Sequence, residues 1–115
     1  MIKRLGAGKR LSMATIHNGL VYLAGQVPDD LSVGVEAQAS QVLGKIDALL
    51  AEAGTDKSSI LTATVWLPNI ADFAVFNTVW DAWVPAGASP ARACVEARVA
   101  NPSIRVEIAV IAAIL

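Results

Sequence analysis

The sequence predicts an α+β fold in which a mixed β-sheet carries two helices on one face, in the order β-β-α-β-α-β-β. Stretches of period-two alternation are interrupted by two stretches with apolar residues at helical spacing. An Asn-Gly pair between the first two apolar stretches indicates a β-hairpin. A length of 115 residues suits a single domain, which we expect to span residues 1–115.

The first two strands are predicted at Leu11–Ile16 and Leu20–Val27, joined at Asn18-Gly19, because both turn residues tolerate the positive φ of a type I′ turn. Near the end of the second strand, Gly25 permits a bulge or a close backbone approach. His17 could be a ligand or a base. A solvent-facing turn residue is the preferred interpretation, because no second histidine or nearby carboxylate accompanies it in the sequence. The cations before this hairpin are interpreted as a solvated, partly mobile end: Lys3, Arg4, Lys9 and Arg10.

The first helix is predicted to begin after the capping residues Asp29, Asp30 and Ser32 and to stop at Gly54. Its interior glycine, Gly44, suggests close packing at that point. The helical spacing is carried by a stripe of apolar residues: Val35, Ala39, Val42, Leu43, Ile46, Leu49 and Leu50.

Ile60–Leu67 is predicted as a central strand, because both of its faces are largely apolar. Asn69 is expected to cap the second helix, with Asp72 accepting backbone donors. Asn77 is the one polar group of this helix that could face a site. The helix also carries an aromatic stripe, for which packing on the sheet is preferred to an aromatic ligand box: Phe73, Phe76, Trp80 and Trp83.

Two further strands are predicted at Ser89–Arg98 and Ile104–Ile108. Their connection is short enough for a hairpin, although another strand could lie between them. One pleat of the first of these strands would carry four reactive or charged groups in an apolar part of the chain: Arg92, Cys94, Glu96 and Arg98.

The composition excludes several classes of function. A net charge of −1 provides no field that would gather nucleic acid. The longest apolar run, Ile108–Leu115, is far shorter than the roughly 20 residues of a membrane span. No apolar stretch of a signal peptide follows the first cations, and we expect no membrane partner. One cysteine and one histidine exclude an internal disulfide and a His-paired zinc signature, and the expected location is a reducing cytoplasm. A hydrophobic content of 55% favours self-association.

Arg92 and Glu107 are the leading candidates for chemistry, because each is a charged group in an otherwise apolar strand. The guanidinium of Arg92 could bind a carboxylate bidentately, and Glu107 could orient or deprotonate water. An ion pair between the two, or a pairing across an interface, is an alternative that these residues alone slightly favour. Cys94 is interpreted as a small buried hydrophobe rather than a nucleophile, and its backbone N–H could donate to a substrate.

Five segments, in order along nearly the whole chain, resemble the Rid family of enamine/imine deaminases, also called the YjgF family: Tyr22–Pro28, Val65–Leu67, Ala71–Trp80, Pro90–Glu96 and Val106–Ile108. The resemblance implies a chorismate-mutase-like α+β domain. It also implies homotrimers with a barrel-like core and with sites in the clefts between subunits.

The resemblance further implies hydrolysis of 2-imino acids such as 2-iminopropanoate to 2-oxo acids and ammonia, with no metal or organic cofactor. Arg92 would bind the substrate carboxylate, Glu107 would position the attacking water, and Cys94 would contribute backbone contacts. Gly25 matches the glycine of the family's Gly-Gln turn, and Asn77 matches an asparagine near the cleft.

The chain departs from typical members at two places. Ala24 stands where they carry a serine, and Leu11–Met13 contains no match for their N-terminal tyrosine. These differences leave open a second function, a non-catalytic trimer that binds a small carboxylate as a sensor or regulator. Ribonuclease activity, which has been attached to relatives, ranks last because the chain has no basic patch and one histidine.

Overall fold

A computed structural model describes residues 1–115 and contains one six-stranded sheet with two helices on one face. Neither helix is long and apolar enough to cross a membrane. Short 3₁₀ turns at Lys57–Ser59 and Ile70–Asp72 precede the fourth strand and the second helix. The elements in chain order are β1 (Lys3–Leu5), β2 (Ala14–His17), β3 (Leu20–Leu23), α1 (Val35–Glu52), β4 (Ile60–Leu67), α2 (Phe73–Trp83), β5 (Ala91–Glu96) and β6 (Glu107–Ala113).

The strands lie in the order β1-β2-β3-β6-β4-β5. Only β4 and β5 are parallel, and all other neighbours are antiparallel, so the predicted mixed sheet is confirmed. Because β4 lies between β5 and β6, these last two strands do not form a hairpin. β4 is paired on both sides, as predicted for a central strand. The last strand covers Glu107–Ala113 rather than Ile104–Ile108, because the apolar C-terminal run forms the ladders with β3 and β4.

The first strand, β1, was missing from the predicted order. Lys3–Leu5 pairs with β2 from Lys3↔Ile16 to Leu5↔Ala14, so the order is β-β-β-α-β-α-β-β and this part of the N-terminal stretch is not a mobile end. Its sequence gave no strand signal because it is short and begins with two cations. Such residues are typical of an exposed edge strand, where charge discourages pairing with other chains.

The hairpin of β2 and β3 confirms the prediction from the Asn-Gly pair. Asn18 and Gly19 have φ values of 51° and 75°, the positive values that a type I′ turn requires. Both strands are shorter than predicted, and β3 ends at Leu23. The chain then continues to an isolated bridge in which Gln26 pairs with Ile108 of β6.

The helix starts differ from the predicted caps. Gly34 is the N-cap of α1 and offers no side chain, whereas the Asp30 carboxylate accepts the backbone N–H of Ser32 in a local turn. Gly54 follows α1 with a φ of 88°, which fits the predicted stop. The close packing suggested at Gly44 is wrong, because a Cβ placed there would meet no atom within 4 Å.

The segment before α2 also uses its side chains differently from the prediction. Asn69 accepts the N–H of Ala71 and so caps the 3₁₀ turn rather than α2 itself. Asp72 accepts no backbone donor and instead forms an ion pair with Arg105, whose Nη2 lies 2.9 Å from Asp72 Oδ2. This pair joins the start of α2 to the segment that leads into β6.

The core lies between the helices and one face of the sheet. The inner side chains of β3, β4 and β6 alternate with outer ones, as in a sheet covered on one side. On α2, Phe76 and Trp80 are buried against this face, so for these two rings the predicted packing on the sheet is confirmed, whereas Phe73 of the same stripe is exposed. The buried sheet residues of this face are Ala14, Val21, Leu23, Ile60, Ala63, Val65, Leu67, Ile108, Val110 and Ala112.

The other face of the sheet carries no helix, and we call it the open face. Cross-strand register places two rows of small or apolar side chains there: Tyr22, Ile111, Thr62 and Ala91 in one row, and Ala109, Thr64 and Ala93 in the next. Ala91 and Ala93 are exposed, and Tyr22 is 41% exposed. An apolar sheet face of this kind is normally covered by a second layer.

Replacing Gln38 by leucine is expected to lower the free energy of unfolding by about 3 kcal/mol. The buried Gln38 amide donates to the carbonyls of Val33 and Ser103 and accepts the N–H of Arg105, so leucine removes three partly buried hydrogen bonds and leaves their backbone groups without this partner. Urea unfolding at one fixed protein concentration measures the change. Gln41→Leu, which removes exposed contacts to Asp29 and Asp30, is the control and should cost much less; equal costs would contradict the assignment.

Candidate functional site

Arg92 lies on β5, the edge strand of the sheet, and its side chain points towards α2. It pairs in register with Ala63, which is buried under the helices. The guanidinium carbon lies 5.8 Å from the ring centroid of Phe73, 5.8 Å from that of Phe76 and 5.1 Å from that of Trp80. We call these three rings the aromatic cage. Cation–π contacts of this kind hold a cation in place without neutralising its charge.

No carboxylate neutralises Arg92. The two ion pairs of the chain are Lys45–Asp29 and Arg105–Asp72, and neither involves Arg92. Its guanidinium therefore keeps its donors free at the edge of the sheet. A planar fork of this kind binds a carboxylate through two parallel hydrogen bonds.

Asn77 lies on the same side of α2 as Phe73 and Trp80, because it is four residues after the first and three before the second. Its Oδ1 is buried and has no hydrogen-bond partner within the chain. Buried polar atoms are normally paired, so this unpaired oxygen, on the helix that carries the rings around Arg92, is available to a ligand.

Cys94 follows Arg92 on the same pleat and pairs in register with Val65. Burial raises the pKa of its thiol, and the nearby charge of Arg92 opposes this effect only in part. A raised pKa keeps the thiol protonated at neutral pH and so makes it a poor nucleophile. This favours the interpretation of Cys94 as a small hydrophobe that packs against the core.

Glu107 begins β6 and faces the open side of the sheet, because it pairs with Trp66 rather than with a buried residue of β4. Its carboxylate belongs to neither ion pair of the chain. Burial raises the pKa of Glu107 above the usual range of glutamate. A carboxylate of this kind can take a proton from water and return it.

Gly25 packs directly against Glu107. The bridge between Gln26 and Ile108, with N···O distances of 2.8 and 3.1 Å, holds the backbone of Gly25 beside the Glu107 side chain. A Cβ on Gly25 would overlap Glu107 Oε2 and would lie 3.1 Å from its Cδ. The predicted close approach at Gly25 is therefore present, and the approaching group is the Glu107 carboxylate.

Replacing Gly25 by alanine is expected to displace the Glu107 carboxylate by about 1 Å, and a displacement of this size in a reacting group lowers kcat by about a hundredfold. Steady-state kinetics measure the change. Gly44→Ala is the matched control, since its Cβ meets no atom within 4 Å. That control should keep full activity; a Gly25→Ala variant with unchanged kcat would separate Gly25 from the site.

Arg92 and Glu107 lie on opposite faces of the same sheet. Arg92 shares the helix-covered face with Ala63, and Glu107 shares the open face with Trp66. The alternative that they form an ion pair within the chain is therefore wrong. The structure instead separates the candidate residues into an arginine half-site, formed by Arg92, Cys94 and Asn77, and a glutamate half-site, formed by Gly25 and Glu107.

The sequence did not predict the side-chain contacts between β5 and the segment that contains α2. It identified the aromatic stripe but not its contact with Arg92, although the i, i+3, i+7 spacing marked the rings as one surface. It also missed that Glu96 Oε2 accepts the N–H of Ile70 at 2.9 Å, which ties the end of β5 to the segment before α2.

Two further charged or titratable candidates, Arg98 and His17, belong to neither half-site. Arg98 is exposed and lies beyond β5, and His17 is exposed at the β2–β3 turn. No group of three or more His, Cys, Asp or Glu residues is placed to hold a metal ion.

Comparisons with known proteins agree over nearly the whole chain. The family described as Endoribonuclease L-PSP matches residues 1–114. A RutC family protein of Haemophilus ducreyi is 50% identical over 114 residues, covering 99% of this chain and 97% of that protein. The RutC family protein YoaB of Escherichia coli strain K12 is 44% identical over 113 residues, covering 98% of each.

Solved structures share the fold. NMB1025 of Neisseria meningitidis, a member of the YjgF protein family, superposes with a TM-score of 0.94 at 47% identity, covering 98% of this chain and 94% of that one. YyfA of Yersinia pestis, from the Rid protein family, superposes with a TM-score of 0.87 at 34% identity, covering 93% of this chain and 90% of that one.

Proposed function

This chain belongs to the Endoribonuclease L-PSP family, also called the YjgF or Rid family, and we propose that it hydrolyses 2-imino acids such as 2-iminopropanoate to 2-oxo acids and ammonia. The observation that carries the proposal is the free Arg92 guanidinium within the aromatic cage. A guanidinium that is held in place and makes no ion pair can bind a small carboxylate through two parallel hydrogen bonds. The Glu107 carboxylate, with its raised pKa, provides the acid/base that hydrolysis of a C=N bond requires.

In the proposed reaction, Arg92 binds the substrate carboxylate and fixes the position of the adjacent imine carbon. Glu107 accepts a proton from water as the water oxygen bonds to that carbon and the C=N π electron pair moves to nitrogen. Glu107 returns this proton to the nitrogen, which gives a carbinolamine with one hydroxyl and one amino group. Glu107 then takes the hydroxyl proton and passes it to the amino nitrogen, so the C–N bond breaks, ammonia leaves and the C=O bond of the 2-oxo acid forms. One imino acid and one water thus give one oxo acid and one ammonia. The buried, unpaired Asn77 Oδ1 is available to accept a hydrogen bond from the imine N–H.

The complete site requires two copies of the chain, because the two half-sites lie on opposite faces of one sheet. We therefore assign the arginine half-site to one subunit and the glutamate half-site to its neighbour. We propose a homotrimer of chorismate-mutase-like domains in which the open faces form a barrel-like core. The small side chains of the open face, such as Ala91, Ala93 and Ala109, allow sheets to pack closely there.

A second candidate is a trimer that binds a small carboxylate without turning it over, as a sensor or regulator. It is favoured by Ala24, which offers no hydroxyl beside Gly25 and Glu107. Such a protein would use the arginine half-site in the same way. It would differ in having no water directed at the bound carbon.

The test generates the imine from alanine or leucine with an amino-acid oxidase and traps the remaining imine with semicarbazide. We expect the protein to lower semicarbazone formation in proportion to its concentration, whereas an equal mass of an unrelated protein should not. Semicarbazone formation equal to that of buffer would contradict the deaminase. Calorimetric binding of pyruvate without turnover would then identify the carboxylate-binding alternative.

A further inference from the structure

The three rings of the aromatic cage differ in their exposure. Phe76 and Trp80 are 0% and 5% exposed, whereas Phe73 is 40% exposed. Two rings therefore close the inner side of the Arg92 guanidinium. Phe73 is the only ring of the cage that a ligand arriving from solvent can reach, and it lies as close to the guanidinium carbon as Phe76 does.

The segment that presents Phe73 is fixed at several points. The Ile70 N–H donates to Glu96 of β5, and the Ala71 N–H donates to Asn69. Asp72, the residue before Phe73, is held by two nitrogens of Arg105. Phe73 is thus exposed without lying on a loose loop, as a preformed contact surface for a ligand requires.

We propose that Phe73 determines substrate preference, by binding the apolar side chain of a 2-imino acid whose carboxylate is bound to Arg92. This inference rests on the proposed function. In such an acid, the side chain begins two bonds from the carboxylate carbon. A carboxylate bound at the free edge of the guanidinium therefore brings that side chain to the exposed ring. Branched and aromatic side chains cover the ring, whereas the methyl group of 2-iminopropanoate covers little of it.

The surroundings of Phe73 favour apolar over acidic side chains. Ile70, three residues earlier, is 45% exposed and adds a second exposed apolar side chain to this segment. Glu96 lies beside it, with its carboxylate on the Ile70 N–H, and would repel a second negative charge on a substrate. The positive charge of Arg105 is already paired with Asp72. Imino acids derived from leucine or phenylalanine should therefore be preferred to those derived from aspartate or glutamate.

The test compares kcat/KM for the imines of leucine and alanine in the wild-type protein and in Phe73→Ala. We expect the wild type to prefer the leucine-derived imine by about tenfold, and Phe73→Ala to reduce this preference to about twofold or less. The alanine-derived imine should be affected little. Val75→Ala is the matched control, because Val75 is 38% exposed on the same helix and is not one of the three rings around Arg92.

Calorimetric binding of 4-methyl-2-oxopentanoate and pyruvate tests the inference separately from catalysis. If the wild type turns over no imine, the proposed deaminase fails, but tighter binding of the larger oxo acid that is lost in Phe73→Ala still supports the role of Phe73. An unchanged leucine-to-alanine ratio in active Phe73→Ala would overturn the inference. So would a variant whose only change is weaker subunit association in sedimentation, since Phe73 would then be an interface residue.

Discussion

Replacement of Arg92 by alanine is expected to lower kcat/KM for 2-iminopropanoate by about two to three orders of magnitude. The variant loses the guanidinium that we propose binds the substrate carboxylate, and Arg105 is not free to replace it because it is paired with Asp72, the residue before Phe73. Arg92 is on an edge strand and makes no ion pair, so the fold should remain. Steady-state kinetics with the semicarbazide trap, together with sedimentation, measure both properties.

Arg98→Ala is the matched control, because Arg98 is exposed and lies just beyond the same strand. It should retain wild-type kinetics. Arg92→Lys should remain strongly impaired, because an ammonium cannot form the two parallel hydrogen bonds of a guanidinium. An Arg92→Ala variant as active as Arg98→Ala would remove Arg92 from the mechanism.

Replacement of Glu107 by glutamine is expected to lower kcat by about two to four orders of magnitude while leaving pyruvate affinity nearly unchanged. The amide is similar in size but cannot accept the proton of water. In the wild type, Glu107 must be ionised to act as a base. Because burial raises its pKa, activity should fall with decreasing pH at values above the usual glutamate range. Glu52→Gln, at an exposed position near the end of α1, should keep both the rate and the pH profile.

The same substitution should change the pH dependence of stability with a defined sign. The pKa of Glu107 is higher in the folded than in the unfolded chain, so the folded state disfavours the charged form. Glu107→Gln should therefore be more stable than the wild type above the folded-state pKa, and the difference should vanish below the unfolded-state pKa. A glutamine variant that is less stable at neutral pH would show that the carboxylate has a favourable partner in the assembled protein.

Structural features that depend only on residues close together in the sequence were predictable. The Asn18-Gly19 turn, the stop at Gly54 and the aromatic stripe of α2 each depend on neighbouring residues alone. β1 was not predictable, because its three residues contain no alternation and pair only when β2 is already present. Asp72 was wrongly predicted to cap α2, because its actual partner, Arg105, lies 33 residues away and cannot be identified from neighbouring residues.

The candidate site was predictable as a set of residues but not as an arrangement. The types and positions of Arg92 and Glu107 were sufficient to select them. Their separation by the sheet follows from the register of β5 and β6 against β4, and that register is a tertiary property. This separation excludes the internal ion pair and is the basis of the proposal that two subunits share each site.

Mixing two inactive variants tests that proposal most directly. Arg92→Ala and Glu107→Gln subunits are co-expressed with different affinity tags, and trimers that contain both are isolated by two successive purifications. In a cyclic trimer, every mixed assembly has one interface that joins an intact Arg92 to an intact Glu107. We therefore expect about one third of wild-type activity per trimer, from parents that are each nearly inactive. Mixed trimers no more active than their parents would contradict a site shared between subunits.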